Sequence, residues 1–179
     1  MKRTPFPFWR FSLRIYAAPG VAAACLALQD ACGADVNLLL YACWLGLDGR
    51  QLGDRDMRRA RAAVARWQKE VVQPLRQARR GTAKISGGVP REWAGLLHQR
   101  IGDTELDAEY VEQRMLAEFA AALPPPIRRQ EALAAARANL ERYLDLLGAT
   151  IGRRERRHLK TLTAACFPGA SDIEFREGD

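Results

Sequence analysis

Asp30, Asp35, Asn37 and Tyr41 fall within twelve positions of one another in a stretch otherwise made of Leu, Ala, Val, Cys and one Gly. Two carboxylates, an amide and a phenol at that spacing could share a proton in general acid–base work or hold a hard cation. The same residue types have a plainer use, since Asp and Asn accept hydrogen bonds from the free amides where a helix begins. Asp35 immediately precedes the run Val36-Asn37-Leu38-Leu39-Leu40. It is therefore expected to cap that helix by accepting from the amide of Asn37 or Leu38.

Nothing else in the chain completes a reaction centre. There is no GxSxG, no HExxH and no paired His-Asp spacing, and the glycine-rich residues 81–88 contain Lys84 but lack the Gly-Lys-Ser/Thr ending that cradles a phosphate. Cys25, Cys32, Cys43 and Cys166 form no CxxC pair, and His98 and His158 stand alone, so no zinc pattern is present. The sequence assigns no catalytic residue, no metal ligand and no cofactor.

The second set of candidates is basic. The chain carries a net charge of +7, from 24 Arg and 4 Lys against 21 acids. Residues 50–91 hold twelve basic and three acidic side chains, a net of +9, whereas residues 92–121 hold two and seven, a net of −5. Arg55, Arg58, Arg59, Arg66, Lys69, Arg76 and Arg80 fall opposite the apolar stripe of one amphipathic helix. A second cluster is Arg153, Arg154, Arg156 and Arg157. Either could track phosphates, or the basic and acidic segments could pair inside the fold.

These residues need elements to position them, and the periodicity is helical throughout. Helices are expected at about 6–18, 20–32 and 35–47, the last two joined at Gly33 as an antiparallel apolar hairpin. A fourth runs over about 54–80, with Met57, Ala60, Val64, Trp67, Val71 and Leu75 on its inner side and Pro74 bending or splitting it. The next opens near Pro90 with Trp93, Leu96, Leu97 and Ile101 on one stripe, and breaks near residues 102–104, where Thr104 and Asp107 have the spacing of a capping box. An acidic helix then continues to about Leu123, before three prolines. Helices over about 127–147 and 153–167 complete the set. All four tryptophans lie on apolar stripes and are expected to be buried.

The fold class that follows is all-α, a single-domain bundle of six to seven helices around the N-terminal apolar hairpin, spanning residues 1–169 with a flexible tail over 170–179. A chain of 179 residues can bury such a core without staples. Arg10, Arg14 and the early prolines interrupt the first apolar stretch, which argues against an export signal. No run reaches the roughly 20 apolar residues of a membrane span, and unpaired cysteines suit a reducing, cytoplasmic setting.

The string Phe8-Trp9-Arg10-Phe11-Ser12-Leu13-Arg14-Ile15-Tyr16, followed by Cys25-Leu26-Ala27-Leu28-Gln29-Asp30 and Gly33-Ala34-Asp35-Val36-Asn37-Leu38-Leu39-Leu40, resembles domain-of-unknown-function family 2390. That is a family of proteobacterial hypothetical proteins. The resemblance implies a bacterial protein and supplies no site residues.

With core and capping roles accounting for most of the chain, the reading is a non-enzymatic protein-interaction or regulatory module, its partner an acidic protein surface or a second copy. One alternative is a nucleic-acid-binding protein using the basic faces; another is an enzyme or ligand-binding protein using the polar residues of 30–41. If the hairpin forms the core, Leu39→Ala and Trp44→Ala each lower unfolding free energy by about 2–5 kcal/mol in urea titration.

Overall fold

The computed structural model describes residues 3–84, 88–124 and 131–169. It is all-α, and the described residues contain no strand. The helices are α1 Pro7–Tyr16, α2 Val21–Cys32, α3 Val36–Leu47, α4 Asp54–Trp67, α5 Gln73–Lys84, α6 Arg91–Ala122, α7 Ala132–Leu146 and α8 Arg153–Cys166. A five-residue π segment, Gln68–Val72, fuses α4 to α5 into one rod.

The most apolar helix, α3, lies at the centre. Leu38, Leu39, Leu40, Tyr41, Ala42, Cys43 and Leu45 are buried on every side of it, which is why its sequence shows no polar face. Trp44 is half-buried and stacks on Phe8, with ring centroids 5.0 Å apart. Gly33 ends α2 in the left-handed conformation, φ +65°, which costs glycine nothing. The hairpin connection is thus present, but each helix finds its main neighbour elsewhere: α3 packs along α7 and α2 along α8. Both partners begin at least 85 residues further along the chain, where spacing carries no information about pairing.

The α3–α7 contact is set by small residues. Ala135 and Ala136 are fully buried on α7, and a Cβ built on Gly46 would sit 2.4 Å from the Cβ of Ala136 and 2.6 Å from its Cα. Asn139, one turn further on, accepts from the Leu52 amide at 2.7 Å and donates to the carbonyls of Ala42 and Arg50. The loop after α3 is thereby fastened to the same helix.

One expectation is overturned and a second is refined. Residues 102–104 do not interrupt α6, which runs unbroken for 32 residues, about 48 Å at 1.5 Å per residue. Thr104 does not cap; its hydroxyl donates to the Arg100 carbonyl one turn back, and α5 packed alongside, with Arg79 against Gly102, holds the helix through it. Pro74 does not end the helical run, which continues to Lys84, but the run is divided into α4 and α5 just before it. Pro74 lacks the N–H that would serve the Glu70 carbonyl, and the backbone answers with the π segment just ahead of it.

No single helix among the described residues is long and apolar enough to cross a membrane, and α1 and α2, which together have the length, meet at 97°. The 170–179 tail expectation lies outside the described residues.

Replacing Gly46 by Ala forces α3 and α7 apart, because the clash is with backbone as well as side chain. The expected loss is about 1–3 kcal/mol or more, read as a lower urea midpoint, whereas Gly53→Ala, with open space around it, stays within roughly 0.5 kcal/mol of wild type.

Candidate functional site

The first amides of a helix have no intrahelical acceptor, and α3 begins inside the protein where water cannot supply one. Asp35 answers locally: its Oδ1 accepts from the Asn37 amide at 2.8 Å, and its own amide donates to the Tyr143 hydroxyl of α7 at 2.7 Å. The Asn37 side chain then links α3 to α6, donating through Nδ2 to Glu112 Oε2 at 2.9 Å and accepting at Oδ1 from Gln113 Nε2 at 2.8 Å. Asp35, Asn37, Glu112 and Gln113 are all buried.

This network has strong electrostatic consequences. Burial first, and then the neighbouring Asp35 charge, push the Glu112 carboxyl up to about 10, so Glu112 is neutral at physiological pH. A hydrogen bond between the Glu112 and Asp35 carboxyls adds to the rise. Burial also raises the Tyr143 hydroxyl, with Asp35 adding to the effect.

Asp30 and Tyr41 do not join the cluster. The Asp30 side chain is 67% exposed and lies 3.7 Å from Arg80. Tyr41 is fully buried, packs edge-on against Phe8 at 5.7 Å, and leaves its hydroxyl unpartnered. Its phenol is raised by burial, with Arg50 and Asp56 as its charged neighbours. Of the four polar residues singled out by spacing, the structure brings together Asp35 and Asn37.

In front of Asn37 and Gln113 opens a recess of about 300 Å³ between α1, α2, α3, α5 and α6. Ser12, Asn37 and Gln113 form part of its lining, together with Arg76, Arg79, Glu105 and Glu109. Leu13, Tyr16 and Leu26, all exposed apolar residues, also line it.

Arg76 contradicts its assignment to the basic surface. Its side chain is 12% exposed and bonds Glu105 at 3.1 Å, Glu109 at 2.7 Å and Gln29 of α2. Arg79 joins it on Glu105 at 2.5 Å. The cause is the π segment: it adds one residue to the turn, and so rotates everything after it by about 100°. Val72, Arg76 and Arg79 take the inward places that an unbroken α-helix would give to Val71, Leu75 and Ala78. Burial alone would raise Glu105, but hydrogen bonds from Arg79 and Arg76 outweigh it and hold that carboxylate below its usual range. Burial raises Glu109, and Arg76 offsets this only in part.

The rest of the basic stripe faces solvent, interleaved with acids. Arg58 lies 3.9 Å from Asp54, Arg59 3.5 Å from Asp56, and Arg66 3.0 Å from Glu70; such exposed pairs contribute little. Arg55 and Lys69 are exposed, as are Arg153, Arg154 and Arg157 in α8, while Arg156 is half-buried and donates to the Ile151 carbonyl. The acidic segment therefore pairs internally with Arg76 and Arg79, not with the whole stripe.

Sequence reasoning also misplaced Trp93. It is 67% exposed, and Val89, Leu96 and Leu97 beside it are exposed as well. The first turns of α6 pair with the end of α5, where Thr82 donates to the Arg79 carbonyl and sits 3.0 Å from His98 Nδ1. Among the described residues no third element covers this two-helix arm's apolar stripe. Among the described residues no three His, Cys, Asp or Glu are grouped to hold a metal ion.

Glu112 yields a pH test. Folded, it keeps its proton to about 10; unfolded, a Glu releases it near the ordinary value of about 4.3. Between those limits unfolding releases a proton, so this group's contribution to stability falls as pH rises. Glu112→Gln preserves the shape without the proton. Its urea midpoint should equal or exceed that of wild type at pH 8, with the difference shrinking towards pH 4. A wild type that is the more stable of the two at pH 8 refutes the buried neutral acid.

No curated protein and no solved structure matches the chain. Residues 7–116 match the family described as Protein of unknown function (DUF2390). That span covers more than half of the chain and includes every residue named in the recess and on the arm's apolar stripe, and on this match the chain belongs to that family.

Proposed function

We propose that this protein is a non-enzymatic interaction module that docks a partner protein on the tip of the α5–α6 arm. The observation that carries this reading is the stripe Val89, Trp93, Leu96 and Leu97, left in solvent while the other aromatics among the described residues are buried or half-buried apart from Tyr16 at the recess. Residues 93, 96 and 97 follow the i, i+3, i+4 spacing of a helix that lays one face into a groove. Contiguous apolar surface of this kind marks interaction sites, and tryptophan is among the residues that dominate binding energy.

Charge selects the partner. Residues 84–100 hold Lys84, Arg91 and Arg100 against Glu92, so the stripe is set in a basic border. The complementary surface is an apolar groove with an acidic rim. The Thr82–His98 contact and the unbroken α6 present the stripe on a preformed helix, which lowers the ordering cost of docking.

Nucleic-acid binding is less well supported by the geometry: Arg76 is withdrawn into the interior, and the outer stripe alternates with Asp54, Asp56 and Glu70.

The test uses a photo-crosslinking amino acid at position 93 in cells of the native host, with the same probe at exposed Leu47 as control. A discrete protein adduct is expected from position 93, and it should be lost when Leu96 and Leu97 are changed to Ser. Because those side chains are exposed, the Ser variant should keep its melting temperature. Adducts that form equally from both positions, or a crosslink to nucleic acid, overturn the proposal. An adduct with a second copy of the chain replaces the foreign partner by self-association.

A further inference from the structure

The arm leaves the recess unexplained. Its inner surface carries two polar atoms with no partner: the Ser12 hydroxyl, in a residue 2% exposed, and Gln113 Oε1, in a residue 3% exposed. A buried polar atom without a partner costs free energy that folding alone gives no reason to spend. Both residues line the same cavity of about 300 Å³.

The orientation of Gln113 follows from its neighbours. Asn37 Nδ2 donates to Glu112, which turns Asn37 Oδ1 towards Gln113 and requires Gln113 Nε2 to donate there. The oxygen of Gln113 is what remains, and an oxygen accepts. Ser12 is a hydroxyl that donates or accepts. The recess thus offers an acceptor and a donor together.

Charge and shape narrow the class further. Arg76 and Arg79 are matched by Glu105 and Glu109 in the lining, so neither an anion nor a cation finds an uncompensated counter-charge. Around the polar groups stand Trp9, Leu13, Tyr16, Leu26, Val36 and Leu40. Few polar groups inside an otherwise apolar concavity is the usual composition of a small-molecule site.

We infer that the recess binds a small uncharged amphiphile whose head group carries an N–H donor beside an acceptor oxygen, as in a carboxamide, with an apolar body held against Trp9, Leu13, Tyr16 and Leu26. The amide N–H donates to Gln113 Oε1, and its carbonyl accepts from the Ser12 hydroxyl. This site is independent of the arm tip and stands or falls separately.

Benzamide, benzoate and benzylammonium share a ring and differ in head group, which makes them direct probes. Each is titrated into the full ¹⁵N-labelled chain while amide shifts are followed. Benzamide is expected to saturate shifts around Ser12 and Gln113 and to bind at least about threefold tighter than either charged probe, the size of one neutral hydrogen bond. Ser12→Ala should weaken benzamide by about three- to tenfold, yet leave the melting temperature of the free protein unchanged or higher, because the hydroxyl it removes has no partner. Leu26→Trp, made at an exposed position, should obstruct the recess and abolish those shifts. Tighter binding of benzoate or benzylammonium, shifts centred elsewhere, no saturation by benzamide, or a lowered melting temperature in Ser12→Ala each overturns the inference.

Discussion

The structure depends on α3 being buried from its first residue. A surface helix leaves its opening amides to water; this one cannot, and the interior must supply acceptors that a purely apolar core lacks. Asp35 supplies one within the same segment, and Tyr143 receives the amide of Asp35 itself. Once a carboxylate is committed there, the nearby Glu112 is better accommodated neutral, and Asn37 and Gln113 carry the hydrogen bonds outward from it. The chain of polar groups crossing from α7 through α3 to α6 is a consequence of that single placement.

A second ionic layer answers the same need at a different place. Arg76 and Arg79 come from the most basic part of the chain and Glu105 and Glu109 from the most acidic, and they meet where α5 lies along α6. Buried pairs of this kind are costly to desolvate, and breaking one member is more destabilising than the pair is stabilising. Their value lies in register: Glu105 accepts from two arginines one turn apart, and Gln29 of α2 reaches the same guanidinium. Sliding α5 by a turn along α6 would strand a charge.

The sequence made visible what repeats within a helix. The apolar spacing of α2, α3, α4, α7 and α8 was readable, as was the Asp35 cap, because both depend on neighbours a few residues away. The segregation of basic and acidic segments was readable as a pattern, but which arginines it drew inward was not. That choice hangs on the π segment, and a spacing rule assumes uniform rotation per residue. Residues 102–104 looked like a break because Thr104 and Asp107 have the spacing of a capping box; packing against α5 carries the helix through them. Trp93 looked buried because an apolar stripe implies a neighbour, and the stripe does not reveal that the neighbour is missing. Pairing of α3 with α7 and of α2 with α8 was beyond local patterns altogether.

The length of α6 has a mechanical meaning. An unbroken helix of 32 residues behaves as a stiff strut over about 48 Å, with Trp93 near one end and Leu116 in the core near the other. The rod beside it is different, since Gln68–Val72 replaces a turn of regular ladder by a looser one. A load applied to the arm tip is therefore not absorbed along α6. It is delivered as torque to the region of Glu105 and Glu109, where the strut crosses the recess, and the compliance that accommodates it belongs to the partner rod.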